Sequence, residues 1–307
     1  MNLLPSQYSA LNQLRSFLLG EDNNCFILRG SAGTGKTTLL GHILEDLKKS
    51  DRPVKLLAPT GRAARILGVK AKADSSTIHR CIYNFKELRE YRDTDKEGNE
   101  TFKFFFVLNN SESVSKPVFI VDEASMVGNR YQEQEFFRFG SGRILQDLIE
   151  FINFSGNRNA KLILVGDGAQ LPPVGENFSP ALDAEFLSTN FNLLVQEAEL
   201  REVIRQQDNS TILRNANSLR NSIEQKSFNK LSFTASGDTT AVPLENLMLT
   251  YLDACENKIS EKAIIICQGN LKSQRYNKIV RDHFFPNKAE IQPADRVMVV
   301  LLSHIQI

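Results

Sequence analysis

No stretch of the 307 residues approaches the roughly 18 consecutive apolar residues of a membrane-spanning helix, which excludes a helical membrane span. The first 22 residues, MNLLPSQYSALNQLRSFLLGED, lack the basic start, apolar block and small-residue cleavage site of a secretory signal. Cysteine is scarce and scattered: Cys25, Cys81, Cys255 and Cys267 form no CxxC pair. They read as buried thiols of a reducing compartment, the cytoplasm, and exclude a disulfide framework or a zinc ribbon. Four histidines with no Cys/His cluster give a structural metal no support. An excess of positive charge is missing as well. Lys+Arg is 37 against 36 Asp+Glu, and a net charge of +1 excludes a histone-like coat of nucleic acid. There is no internal repeat and no low-complexity tract.

What is present is a recurring alternation. SQYSALNQLRSFLL (6–19) has helical spacing, with Leu11, Leu14 and Leu18 on one side. CFILRG (25–30), VKLLAPT (54–60), VFIVDE (118–123) and KLILVGD (161–167) are short apolar runs that end in polar or glycine-rich turns. TTLLGHILEDLKK (37–49) and GRAARIL (61–67) are helical between them. This order predicts an α/β fold, a parallel sheet with helices on both faces and ligands at the strand ends. Residues 84–116 break the rhythm with a charged stretch, a DKEGNE turn and the aromatic TFKFFFVL, which predicts an inserted β-hairpin. A first domain over 1–194 is expected, then a second α/β domain over 195–307. That second domain is expected to start with a helical stretch and to contain strands at AIIICQGN (263–270) and DRVMVVLL (295–302).

Three segments carry chemistry. Gly30-Ser31-Ala32-Gly33-Thr34-Gly35-Lys36-Thr37 matches G-x-x-x-x-G-K-[ST], between a predicted strand and a predicted helix. Its glycines let successive N–H groups face phosphate oxygens, and the helix start, through Thr38, adds its positive end. Lys36 can reach β- and γ-phosphates, and the Thr37 hydroxyl can ligate Mg²⁺. Asp122 and Glu123 end the third apolar run. Asp122 can hold Mg²⁺ through its water shell, and Glu123 can orient and deprotonate the attacking water. In LVGDGAQLPP (164–173), Gln170 can both donate to a γ-phosphate and accept from water.

In this order the three segments resemble the RecD/Dda-like branch of superfamily 1 DNA helicases. Gln7 in LPSQYSAL is similar to a Q motif that contacts adenine. LLAPTGRAA (56–64) is similar to motif Ia, and Ser76-Thr77-Ile78-His79 to the T-I-H phrase. Through these, the resemblance implies DNA contacts by Thr60, Arg62, Thr77 and His79. LREVIRQ (200–206) resembles motif IV, which implies that Arg205 is an arginine finger from the second domain. The implied activity is ATP·Mg²⁺ hydrolysis coupled to movement on single-stranded or forked duplex DNA, 5′→3′, in a RecA-like P-loop NTPase fold. Motifs V and VI have no counterpart in these residues. The chain is therefore expected to hold one RecA-like half and the beginning of another, and to unwind little on its own. Protein partners are not indicated.

Two other readings remain open. One is another P-loop NTPase such as a small-molecule kinase, in which DEAS, GDGAQLPP and LREVIRQ have no evident place. The other is a nucleotide-dependent DNA-binding module that does not unwind. From Lys48 to Asp74 eight Lys/Arg face two Asp. That run fits either a solvated helix face or a basic track.

Overall fold

The structure is a computed structural model that describes residues 3–94, 100–110, 115–134, 136–201, 210–227 and 232–296. It divides into two compact units. The first comprises Met1–Asp208 with Leu219–Asn229, and the second Asn209–Ser218 with Lys230–Ile307.

The first unit opens with helix α1 (Pro5–Leu19), strand β1 (Cys25–Gly30), helix α2 (Lys36–Lys49), β2 (Val54–Ala58), α3 (Gly61–Ala71), β3 (Ser75–Thr77) and the one-turn α4 (Ile78–Ile82). The hairpin strands β4 (Tyr83–Thr94) and β5 (Glu100–Leu108) follow. Then come β6 (Val118–Val121), β7 (Phe137–Phe139), α5 (Ile144–Ile152), β8 (Lys161–Gly166), α6 (Ala184–Phe191) and β9 (Val195–Leu200). Six strands form one sheet in the order β3-β2-β6-β8-β1-β9, and every pair is parallel. All six C-terminal strand ends therefore lie at one edge, where the loops that follow them converge.

The two-residue period of the strands sorts their side chains into two cores. Phe26, Leu28, Leu56, Ile120, Ile163 and Val165 pack under α1, α2 and α3, meeting Leu14, Phe17, Leu40, Ile43 and Leu67. Cys25, Ile27, Leu57, Val121, Leu162 and Leu164 face the other way, against Ile78, Ile82, Leu145, Leu148 and Leu187. Each fully buried side chain of this size stabilises the fold by about 1.5–3 kcal/mol. This is the parallel sheet with helices on both faces that the alternating pattern predicts, and it agrees with the RecA-like P-loop fold that the resemblance implies.

The inserted hairpin exists, with β4 and β5 antiparallel. It has a third member the sequence did not suggest, β7 running parallel to β5. The Phe-rich strand splits along its length: Phe106 is buried and stacks on Phe139 at 5.2 Å, whereas Phe102 and Phe104 on the same face nearer the tip are exposed.

Three expectations need correction. Residues from 195 do not begin a helical stretch. Val195–Leu200 is a strand hydrogen-bonded along β1, from Cys25 against Val195 to Gly30 against Leu200, so the first sheet continues one strand past the expected boundary. Its alternation of half-buried and exposed residues is that of an edge strand, which a search for apolar runs overlooks. Second, the described residues of the second unit contain helices, among them α8 (Leu247–Ala254) and α9 (Asn270–Phe284), and no strand. Ala263–Cys267 is unpaired, with Ile264 and Ile266 exposed. Apolar β-branched residues favour a strand only where a neighbour completes the ladder. The strand expected at 295–302 lies almost wholly outside the described residues. Third, of the four free cysteines only Cys25 and Cys255 are buried, and Cys81 and Cys267 are partly exposed.

Candidate functional site

The phosphate loop joins β1 to α2. Gly33 and Gly35 have φ of 84° and 83°, in the left-handed region, where a Cβ is costly. Gly35 is also the N-cap of α2, so Lys36, Thr37 and Thr38 are its first three residues, and their N–H groups have no partner within the helix. Gly30 is required for a different reason. A Cβ there would lie 2.6 Å from Thr34 Oγ1, 3.1 Å from Leu200 Cβ and 3.2 Å from the Leu200 carbonyl oxygen. Gly30→Ala is expected to cost about 1–3 kcal/mol of stability, because the crowded atoms include backbone. It should also weaken nucleotide binding; thermal unfolding with and without Mg·ATP measures both.

The loop is braced from inside. The buried Thr34 hydroxyl donates to the Ser31 carbonyl at 2.9 Å. Gln7 is buried on α1: its amide nitrogen donates to the Thr34 carbonyl at 2.8 Å, and its amide oxygen accepts from the Leu4 N–H at 2.9 Å. In this arrangement both polar ends of Gln7 serve the loop and the helix start. Ser31, Ala32 and Gly33 form the outward part of the cradle. Lys36 Nζ donates to the carbonyls of Gly30 at 2.6 Å and Ser31 at 3.0 Å. Burial pulls its pKa down, opposed by the carboxylates of Asp167, Glu123 and Asp122.

Those carboxylates stand at the ends of neighbouring strands. Asp122 follows β6, and its Oδ1 accepts the Glu123 N–H at 3.0 Å. Glu123 has φ 54° and ψ 37°. A non-glycine residue in this region costs of order 1–3 kcal/mol and persists where the surroundings fix it, most often at functional sites. Burial is the main cause that raises both pKa values, and for Glu123 the charge of Asp122 adds to it. Two carboxylates crowded at a partly buried sheet edge, both disfavoured as anions, suit a divalent cation. With the Thr37 hydroxyl at the helix start, this donor set is the hard-oxygen type that Mg²⁺ takes together with phosphate.

Asp167 is buried at the end of β8 and organises the next turn. Its Oδ1 accepts from Ala169 N at 3.1 Å, and its carbonyl from Gln170 N at 3.1 Å. Gln170 is exposed and lines an open groove of about 1350 Å³. The same groove is lined by Thr60, His79, Arg130, Tyr131 and Arg138. Thr60 caps α3, accepting from Ala63 N, and Thr77 caps α4, accepting from Arg80 N. Arg62 is exposed in the first turn of α3. His79 packs against Phe139 at 5.0 Å and Tyr83 at 5.5 Å, and burial lowers its pKa against the opposing pull of Asp147. Its surroundings therefore favour the neutral form. Arg138 stacks over Tyr91 at 4.4 Å. Arg205 lies outside the described residues. Sequence reading passed over Arg130, Tyr131 and Arg138, because isolated aromatic and basic residues in a loop form no pattern until the loop is folded.

The sequence matches the AAA domain family over residues 19–176, just over half of the chain. An uncharacterized protein of Acanthamoeba polyphaga mimivirus is 24% identical over 305 aligned positions, covering 92% of this chain and 56% of its own. The ATP-dependent RecD2 DNA helicase of Deinococcus radiodurans is 30% identical over 172 positions, which are 56% of this chain and 18% of that protein. Among solved structures, the Pif1 helicase of Candida albicans has a TM-score of 0.49 and 21% identity, with 91% of this chain and 54% of that one covered. The chain thus spans little more than half of the first of these relatives and under a fifth of the second. Among the described residues no helix is long and apolar enough to cross a membrane. The phosphate loop, the strand-end carboxylates and the glutamine turn lie on one edge of a parallel sheet, and the chain belongs to the AAA domain family.

Proposed function

We propose that the chain binds and hydrolyses Mg·ATP at the edge formed by residues 30–38, Asp122, Glu123 and Gln170, and couples this to single-stranded DNA held in the neighbouring groove. One observation carries the reading. Gln170 sits on the turn that Asp167 organises beside the phosphate loop, and it also lines the groove that contains Thr60 and His79. The 167–170 turn borders both places, since Asp167, Gly168 and Ala169 line a cavity with Gly30 and Ser31 while Ala169 and Gln170 line the groove, and this links what occupies one to what occupies the other.

The residues divide the work by chemistry. Backbone N–H groups of the loop and of the first turn of α2 bind phosphate oxygens. Lys36 exchanges its two loop carbonyls for β- and γ-phosphate oxygens, which gives charge-assisted bonds in place of neutral ones. Thr37 and Asp122 hold Mg²⁺, which supplies neutralisation of phosphate charge. Glu123 accepts the proton of the attacking water, and its raised pKa makes it a stronger base than an exposed glutamate. Gln170 orients that water. Arg205 supplies a finger cation. In the groove, the N-terminus of α3 behind Thr60 and the cations Arg130 and Arg138 receive DNA phosphates, and Tyr131 offers a face for a base. The 5′→3′ polarity and strand separation follow from the resemblance, and a forked duplex with a 5′ tail tests them.

The carboxylate pair makes a prediction of defined sign. A carboxylate whose folded pKa is raised contributes stability that is full below its unfolded pKa and lost as pH rises through the folded value. At neutral pH without metal, Asp122 therefore costs stability. Asp122→Asn, which keeps the hydrogen bond from Glu123 N–H, is expected to raise the metal-free Tm at pH 7, and the gain should vanish at acidic pH. The same variant should lose the further rise in Tm that Mg·ATP gives the wild type. A metal-free Tm that falls at pH 7 contradicts the assignment.

DNA binding is tested by fluorescence anisotropy of a labelled oligo-dT, with and without a non-hydrolysable ATP analogue. The affinity should change with nucleotide and fall with salt, with a slope of about −0.7 per phosphate neutralised. Affinity that is indifferent to both removes the coupling.

A further inference from the structure

Arg220 was not singled out by any motif, and none of the roles above uses it. It belongs to the first unit, on the last turns of helix α7 (Thr211–Glu224). Its Nη2 donates to both carboxylate oxygens of Asp167, at 2.9 Å and 2.7 Å. The Asp167 side chain is 4% exposed and that of Arg220 27%, so this is a pair formed largely away from water. Arg220 and Asp167 line one cavity of about 700 Å³ with Gly30 and Ser31 of the phosphate loop. Both charges act on Lys36, Asp167 favouring its ammonium form and Arg220 opposing it.

This arrangement poses a charge problem. A buried carboxylate beside a polyphosphate site repels the ligand, and the site already holds Asp122 and Glu123. Yet Asp167 fixes the 167–170 turn through its hydrogen bond from Ala169, so the turn depends on that oxygen. A cation bonded to both carboxylate oxygens resolves the conflict by cancelling the charge while leaving the turn intact.

We propose that Arg220 is a positioning residue: the counter-ion that lets Asp167 stand beside the nucleotide phosphates and that holds the Gln170 turn through it. The proposal rests on the reading of residues 30–38 as the nucleotide site. Its effect on binding is electrostatic and acts through Asp167, so it grows with the number of phosphates. A bare Asp167 penalises ATP more than ADP.

The test uses the full chain, fluorescent ATP and ADP with Mg²⁺, and four variants: Arg220→Gln, Arg220→Lys, Asp167→Asn and the Arg220→Gln/Asp167→Asn double. Arg220→Gln should weaken ATP by about tenfold, the effect of one uncompensated charge at close range in a partly buried site, and ADP by less. The double variant should return ATP affinity to within about threefold of wild type, since an Asn oxygen still accepts from Ala169 and carries no charge. Asp167→Asn alone should bind ATP as tightly as wild type or tighter, and Arg220→Lys should lie between Arg220→Gln and wild type. Arg220 acting only through helix packing would give equal losses for ATP and ADP with no rescue by Asp167→Asn, and that result overturns the proposal. So does unchanged ATP affinity in Arg220→Gln while the wild type binds. A wild type that binds neither nucleotide overturns the nucleotide site itself, and this proposal with it.

Discussion

Lys36→Ala is expected to reduce Mg·ATP affinity by about 100-fold or more, the upper range for losing a charge-assisted pair of hydrogen bonds to phosphate. In the structure the ammonium bonds the Gly30 and Ser31 carbonyls, at the mouth of the cradle. Those carbonyls are neutral acceptors, and phosphate oxygens replace them at a gain. Burial lowers the pKa of Lys36, and the carboxylates of Asp167, Glu123 and Asp122 oppose that shift. Removing it leaves Asp122 and Glu123 facing a polyanion without this cation, while Asp167 keeps Arg220. Stability should change by only about 1 kcal/mol, the net worth of the loop bonds, so the loss of binding is separable from unfolding. Lys36→Arg should restore little, because a planar fork does not fit where a compact ammonium sits. Calorimetric titration with Mg·ATP measures the effect. Affinity within a few-fold of wild type in Lys36→Ala would remove the phosphate site.

Glu123→Gln separates binding from chemistry. Its amide keeps the size and most of the hydrogen bonding of the acid but accepts no proton from water, so hydrolysis should fall by about 10²–10⁴. Affinity for ATP should stay within about threefold, the pattern of a group used only in the transition state. The left-handed backbone at Glu123 aims this side chain, and glutamine adopts it at a similar cost, so the geometry survives the change. The wild-type rate carries a matching signature. With its pKa raised by burial and by Asp122, Glu123 loses its basic form on acidification earlier than an exposed glutamate does, and kcat should decline from a correspondingly higher pH. Wild-type turnover in Glu123→Gln would assign the proton to another residue.

How much of this was legible beforehand depends on how local each signal is. The phosphate loop, the Asp122-Glu123 strand end and the Gln170 turn each lie within ten residues of chain. Alternating apolar runs and helices were enough to predict that a parallel sheet brings them to one edge. β9 was missed because an edge strand half-open to water has no apolar run, although it closes the sheet against β1. β7 was missed because three residues become a strand only when β5 offers them a ladder. The 263–267 segment failed in the opposite sense, apolar and β-branched yet with no strand beside it among the described residues. Asp167 lay in a quoted motif, but its role was hidden, because its partner Arg220 is 53 residues away on a helix whose own spacing shows nothing unusual. Thr60 and Thr77 illustrate a further limit. The resemblance implied DNA contacts for them, and the structure adds a role no motif announced, each hydroxyl capping the start of a helix.

The coupling of the phosphate site to the groove is most directly tested by steady-state ATP hydrolysis of the full chain with and without saturating oligo-dT, run beside Glu123→Gln. The predicted result is a kcat that rises severalfold with DNA in the wild type and stays near background in the variant under both conditions. A wild-type rate that DNA leaves unchanged would contradict the account, as would an equal rate in Glu123→Gln.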